Sequence, residues 1–146
     1  MSVYDKLVIV DQFEERNGNQ RAVRRACEIM LAYLASLKQP LPEVAAQALR
    51  VARGYTDGSV GAGSLSAAVD QISRFLKECG ESENNSKGVI SIIRASAALL
   101  KLLQEPTWGG GASEALSNFL EWTDEFEQNH ELFGQLLERY VGGTDS

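Results

Sequence analysis

The one histidine of this chain, His130, stands three residues after Glu127 in the run Glu127-Gln128-Asn129-His130. On a helix, Glu-x-x-His sets a carboxylate and an imidazole on one face. A di-metal carboxylate site in a helical bundle takes two such pairs plus glutamates from neighbouring helices. Here the spacing occurs once, with Glu121, Asp124, Glu125 and Glu131 on nearby turns. A zinc site of the usual kind needs clustered histidine and cysteine, and Cys27 and Cys79 are scattered. The run Gly58-Ser59-Val60-Gly61-Ala62-Gly63 follows no strand and precedes no Lys-Ser/Thr pair, so it is not a phosphate cradle. No Gly-x-Ser-x-Gly elbow occurs. The expectation is therefore no catalytic residue, no metal and no cofactor, with binding to another protein as the role.

Two tryptophans and a tyrosine are placed for that role, because Trp and Tyr are enriched as interface anchors. Trp108 stands before Gly109-Gly110-Gly111, where helix periodicity does not force it into a core. Trp122 is flanked by Glu121 and Asp124 and lies beside the Phe119–Phe126 stripe. Tyr55-Thr56-Asp57 is a polar-aromatic cluster at a helix end, with Tyr55 packing beneath the loop as its structural alternative. Charge is uneven along the chain. Residues 18–54 hold Arg21, Arg24, Arg25, Lys38, Arg50 and Arg53 against Glu28 and Glu43. Residues 107–146 hold Glu114, Glu121, Asp124, Glu125, Glu127, Glu131, Glu138 and Asp145 against Arg139, within an overall net charge of −6. Either the two stretches neutralise one another across the fold, or the carboxylates steer a basic protein partner into contact. An acidic face disfavours nucleic acid. The expected partner-binding set is Tyr55, Asp57, Trp108, Glu114, Glu121, Trp122, Asp124, Glu125 and Glu131.

Helices must position these residues. Apolar residues recur at three- and four-residue steps over 2–16, 20–38, 43–56, 65–79, 87–104 and 113–141, which predicts an all-α single-domain bundle of about six helices. Ser2 with Asp5 reads as an N-terminal cap pair. The run Lys6–Val10 also suits a strand, but no second strand exists to pair with it. Asn17-Gly18-Asn19 breaks the chain, Pro42 suits the first turn of the third helix, and Ser64 suits the N-cap of the fourth. Gly80 reads as a C-terminal stop and Asn85 or Ser86 as a cap. The last helix is long, with Gly134 and Asn129-His130 as places to bend or split it. Residues 142–146 form a tail.

The composition, 44% hydrophobic and 23% charged, is ordinary for a globular domain. The only dense apolar run, Leu7-Val8-Ile9-Val10, is far too short to span a membrane, and no signal peptide is legible. Both cysteines fall on apolar helix stripes as small hydrophobes, which suits a reducing cytoplasm.

The strings Phe13-Glu14-Glu15-Arg16, Arg21, Arg24-Arg25-Ala26-Cys27-Glu28, Ala48-Leu49-Arg50-Val51-Ala52-Arg53-Gly54 and Leu65-Ser66-Ala67-Ala68-Val69 together resemble helical immunity proteins. That family belongs to bacterial polymorphic-toxin, contact-dependent or type VI secretion systems, and the resemblance covers roughly residues 7–76. It implies a cytoplasmic bacterial protein that binds and blocks a cognate toxin without catalysis. A helical adaptor or homo-oligomeric assembly protein is the alternative, and the free chain is expected to be a monomer or homodimer.

Overall fold

Ser2 opens the first helix with a full capping box. Its Oγ accepts from the Tyr4 N–H at 3.1 Å, and its own N–H donates to the Asp5 carboxylate at 3.2 Å. The computed structural model describes residues 2–79, 87–106 and 111–142, with the backbone alone at Cys79. Among them there is no strand, and eight helical segments follow in order. They are α1 (Val3–Lys6), α2 (Val8–Asn17), α3 (Asn19–Ala35), α4 (Glu43–Asp57), α5 (Ala62–Cys79), α6 (Lys87–Gln104), α7 (Ala112–Asp124) and α8 (His130–Val141).

The all-α expectation stands, and the Lys6–Val10 run is helical. The count and the lengths are corrected. The first expected helix carries an interruption at Leu7, which divides α1 from α2. The long last helix is two helices. It ends because the Phe126 and Glu127 N–H groups both fold back onto the Thr123 carbonyl. The chain restarts at Asn129, whose side chain accepts from the Leu132 N–H at 3.2 Å. Gly134 does not bend it. That glycine is buried mid-helix where the Lys6 side chain crosses, and a Cβ there would stand 3.2 Å from Lys6 Nζ. Pro42 is the N-cap of α4 rather than part of its first turn. Helix α5 begins at Ala62, so Ser64 lies inside the first turn rather than capping it. Gly58 closes α4 with φ 88°, a left-handed conformation that glycine adopts without steric cost. Gly80, Asn85 and Ser86, and the tail beyond Gly142, fall outside the described residues.

Two helices form the centre. Helix α3 packs on α2, α4, α6, α7 and α8, and α6 packs on α3, α4, α5 and α7. Each is buried on most of its girth. Ten residues of α6 are buried, including Ser91 and Ser96, and the Ser96 hydroxyl donates to the Ile92 carbonyl one turn back. Tyr33 on α3 is wholly buried against Phe119 of α7 and Phe133 of α8, with edge-on ring centroids 6.2 and 5.1 Å away. Its hydroxyl accepts from the Asn129 N–H at 3.1 Å, which holds the junction between α7 and α8. The buried side chains form one continuous core. Helix α5 lies at the periphery, packed on α4 and α6.

Candidate functional site

The α7–α8 region carries most of the expected partner-binding residues, and the structure divides them into groups. Glu114, Glu121 and Glu125 fall within about 20° of one line along α7 at 100° per residue. Glu114 and Glu121 are exposed and have no ion pair or hydrogen bond among the described residues. Glu131 is likewise exposed, in the first turn of α8, where a negative charge complements the helix dipole.

Asp124 and Glu125 are spent inside the molecule. The Asp124 carboxylate meets His130 Nε2 at 2.8 Å and accepts from the Tyr4 hydroxyl at 3.2 Å. This latch ties α1, α7 and α8 together. Burial, and then the Asp124 charge, push the Tyr4 hydroxyl up to about 12. Glu125 accepts from the Ser91 hydroxyl of α6 and pairs with Lys87 at 3.4 Å. The Ser91 hydrogen bond, followed by Lys87, holds its carboxyl below the usual range. Both residues therefore carry intramolecular bonds, Glu125 while still exposed. Tyr55 and Asp57 lie apart from α7 and α8. They sit at the end of α4, where Tyr55 packs against the core and Asp57 accepts from the Ser59 N–H at 2.9 Å. Hydrogen bonding from Ser59 lowers the Asp57 carboxyl below its ordinary value, as in a side-chain-closed turn. Trp108 lies outside the described residues.

Among the described residues no ion pair joins the basic stretch to the acidic one. Arg25 pairs with Glu28 and Arg50 with Glu43, both inside the basic stretch. The link between the stretches is Glu127, whose carboxylate accepts from the backbone N–H groups of Lys38 and Gln39 at 2.9 and 2.7 Å. Gln39 Nε2 returns a bond to the Phe126 carbonyl. This closes the loop between α3 and α4 with charge-assisted hydrogen bonds rather than ion pairs. Glu127 and His130 thus have separate structural duties. Among the described residues no three His, Cys, Asp or Glu side chains are grouped to hold a metal.

One concave feature was missed from the sequence. Helices α5 and α7 both pack on α6 but not closely on each other, and a groove of about 680 Å³ lies between them. Its α6 floor runs through Arg94, Ala97, Ala98 and Lys101. Val69 and Leu76 wall it on the α5 side, and Ala115 and half-buried Trp122 on the α7 side. Arg94 and Lys101 are exposed and carry no ion pair or hydrogen bond among the described residues, although Arg94 is near enough to Glu125 to favour its charged form. A signal for this groove was present, since 94, 97, 98 and 101 repeat at helical spacing with alanines between cations. Expected site residues thus converge on the α7 flank. Trp122 lines the groove, whereas Glu114 and Glu121 are exposed on α7 outside its lining. No described helix is long and apolar enough to cross a membrane. No family model, no curated protein and no solved structure matches this chain.

Proposed function

We propose that this chain is a non-catalytic binding protein of immunity type, which docks on a basic bacterial toxin domain and occludes its active site or substrate surface in the cytoplasm. The observation that carries this reading is the flank of α7. There Glu114 and Glu121 stand exposed and uncommitted beside the half-buried indole of Trp122. Uncommitted carboxylates steer a basic partner at long range, and a partly desolvated indole supplies the short-range anchor. The neighbouring acids Asp124, Glu125 and Glu127 already satisfy internal donors, so docking on this flank leaves the folding contacts of α7 untouched.

Affinity capture from the native host at low salt tests the reading. The expected catch is a basic toxin domain whose growth arrest is relieved when this chain is coexpressed. Charge reversal as Glu114→Lys with Glu121→Lys slows association and flattens its salt dependence, while thermal stability stays within about 0.5 kcal/mol for each exposed site. Recovery of no toxin-like partner, or association kinetics unmoved by the double reversal, overturns it.

A further inference from the structure

The groove between α5 and α7 has apolar walls and two cations on its α6 floor. The floor is made shallow-sided by Ala97 and Ala98, the only small residues between its two cations on that face. Arg94 and Lys101 are seven residues apart on α6, hence roughly 10.5 Å apart along its axis. Both lack an ion-pair partner among the described residues, with Glu105 lining the groove one turn beyond Lys101 and Glu125 near Arg94. One headgroup of a small amphiphile does not reach both cations. Two carboxylates seven residues apart on a second helix have the same rise, with the apolar residues between them facing the alanines.

We infer that this groove is the docking site of an amphipathic helix from a partner protein. That helix presents acidic residues at i and i+7 to Arg94 and Lys101, and an apolar stripe to Val69, Ala98 and Trp122. This is the helix-in-groove mode, in which side-chain anchors at helical spacing supply affinity and flanking charges set register. The groove shares Trp122 with the proposed toxin-docking flank but otherwise uses the α5 and α6 residues, and a test with peptides needs no toxin, so the two readings fail independently.

The test uses the full chain with Trp108→Phe, which leaves Trp122 as the one indole. A lactam-bridged helical peptide of about twelve residues, roughly 18 Å long, carries leucines between glutamates at i and i+7. A matched peptide has lysines in place of the glutamates. The glutamate peptide is expected to shift Trp122 emission and to bind at least about tenfold more tightly than the lysine peptide. Arg94→Glu with Lys101→Glu reverses that preference. Ala98→Leu, which fills the floor, abolishes binding while circular dichroism and melting temperature hold. Should Ala98→Leu unfold the chain, the charge-swap pair alone decides. Equal binding of both peptides, or no binding by either to a folded chain, overturns the inference. So does a stronger response to dodecanoate than to the glutamate peptide, which would make the groove a lipid pocket. Concentration-dependent dimerisation abolished by Ala98→Leu overturns it as well, because a second copy would then be the occupant.

Discussion

Tyr4 shows how one side chain serves two ends of the molecule. Its ring stands edge-on to His130 with centroids 5.9 Å apart, and its hydroxyl donates to Asp124. Because burial and Asp124 oppose the phenolate, the folded chain holds this proton more tightly than the unfolded chain, which releases it near the ordinary 10.0. The contribution of Tyr4 is therefore intact below pH 10 and is lost as pH rises from 10 towards about 12. Urea midpoints for the wild type and Tyr4→Phe should converge over that window, since the phenylalanine variant lacks this ionisation. Tyr33, also raised chiefly by burial, titrates in both proteins and cancels in the difference. Parallel curves through alkaline pH would show that Tyr4 is not held as described. Acidic, aromatic and basic positions were legible in the sequence, but their commitments were not. Nothing local distinguishes Glu121, which faces solvent, from Asp124, which is bonded to residues 6 and 120 positions away.

At the scale of elements, periodicity served well because burial of a helical stripe is written in neighbouring residues. Junctions were harder, since they depend on partners far along the chain. The end of α7 is set by Thr123, Glu127 and Tyr33 together, and Gly134, the local signal for a bend, answers to Lys6 instead. Gly88 makes a sharper case. It lies in the first turn of α6, where alanine ordinarily improves a helix by about 1 kcal/mol. A Cβ at this position would stand 2.6 Å from the Glu125 carbonyl oxygen, so the backbones of α6 and the α7–α8 link approach as closely as glycine permits. Gly88→Ala is expected to reverse the usual sign and destabilise by about 1–3 kcal/mol, read from the shift in urea midpoint at unchanged m. A stabilised variant would mean that the two segments do not meet. The groove escaped notice for a related reason. Its alanines and cations were visible on α6, but that α5 and α7 fail to close over them is a fact of packing.

For the whole molecule, the buried side chains form one core, and Cys27 within α3 reports on its integrity. Burial pushes its thiol up to about 12, so at neutral pH it is both shielded and protonated. With Cys79→Ser leaving it as the one thiol, labelling by Ellman's reagent should be negligible in buffer. It should rise in urea along the same curve as the loss of helical ellipticity. Prompt labelling without denaturant would show that α3 opens independently of the rest. Charge at this scale was legible as an imbalance but not as a map. Among the described residues Arg25 and Arg50 pair with Glu28 and Glu43 of the same stretch, and Glu127 from the acidic stretch binds backbone N–H groups instead.

Glu14 of α2 accepts from the Ala112 N–H at 3.1 Å and from Asn19 at 2.7 Å, so α2 supplies the cap that Gly111 cannot give to α7. Beside it, Asp11 accepts from the Ser113 hydroxyl at 2.6 Å. Beyond α2, the packing partner of α1 is α8. During synthesis α1 must therefore wait for α8. At about 5–20 residues per second, several seconds to tens of seconds pass between synthesis of Glu14 and of α8. During that interval the α8 side of α1, buried in the folded chain, is without its packing partner.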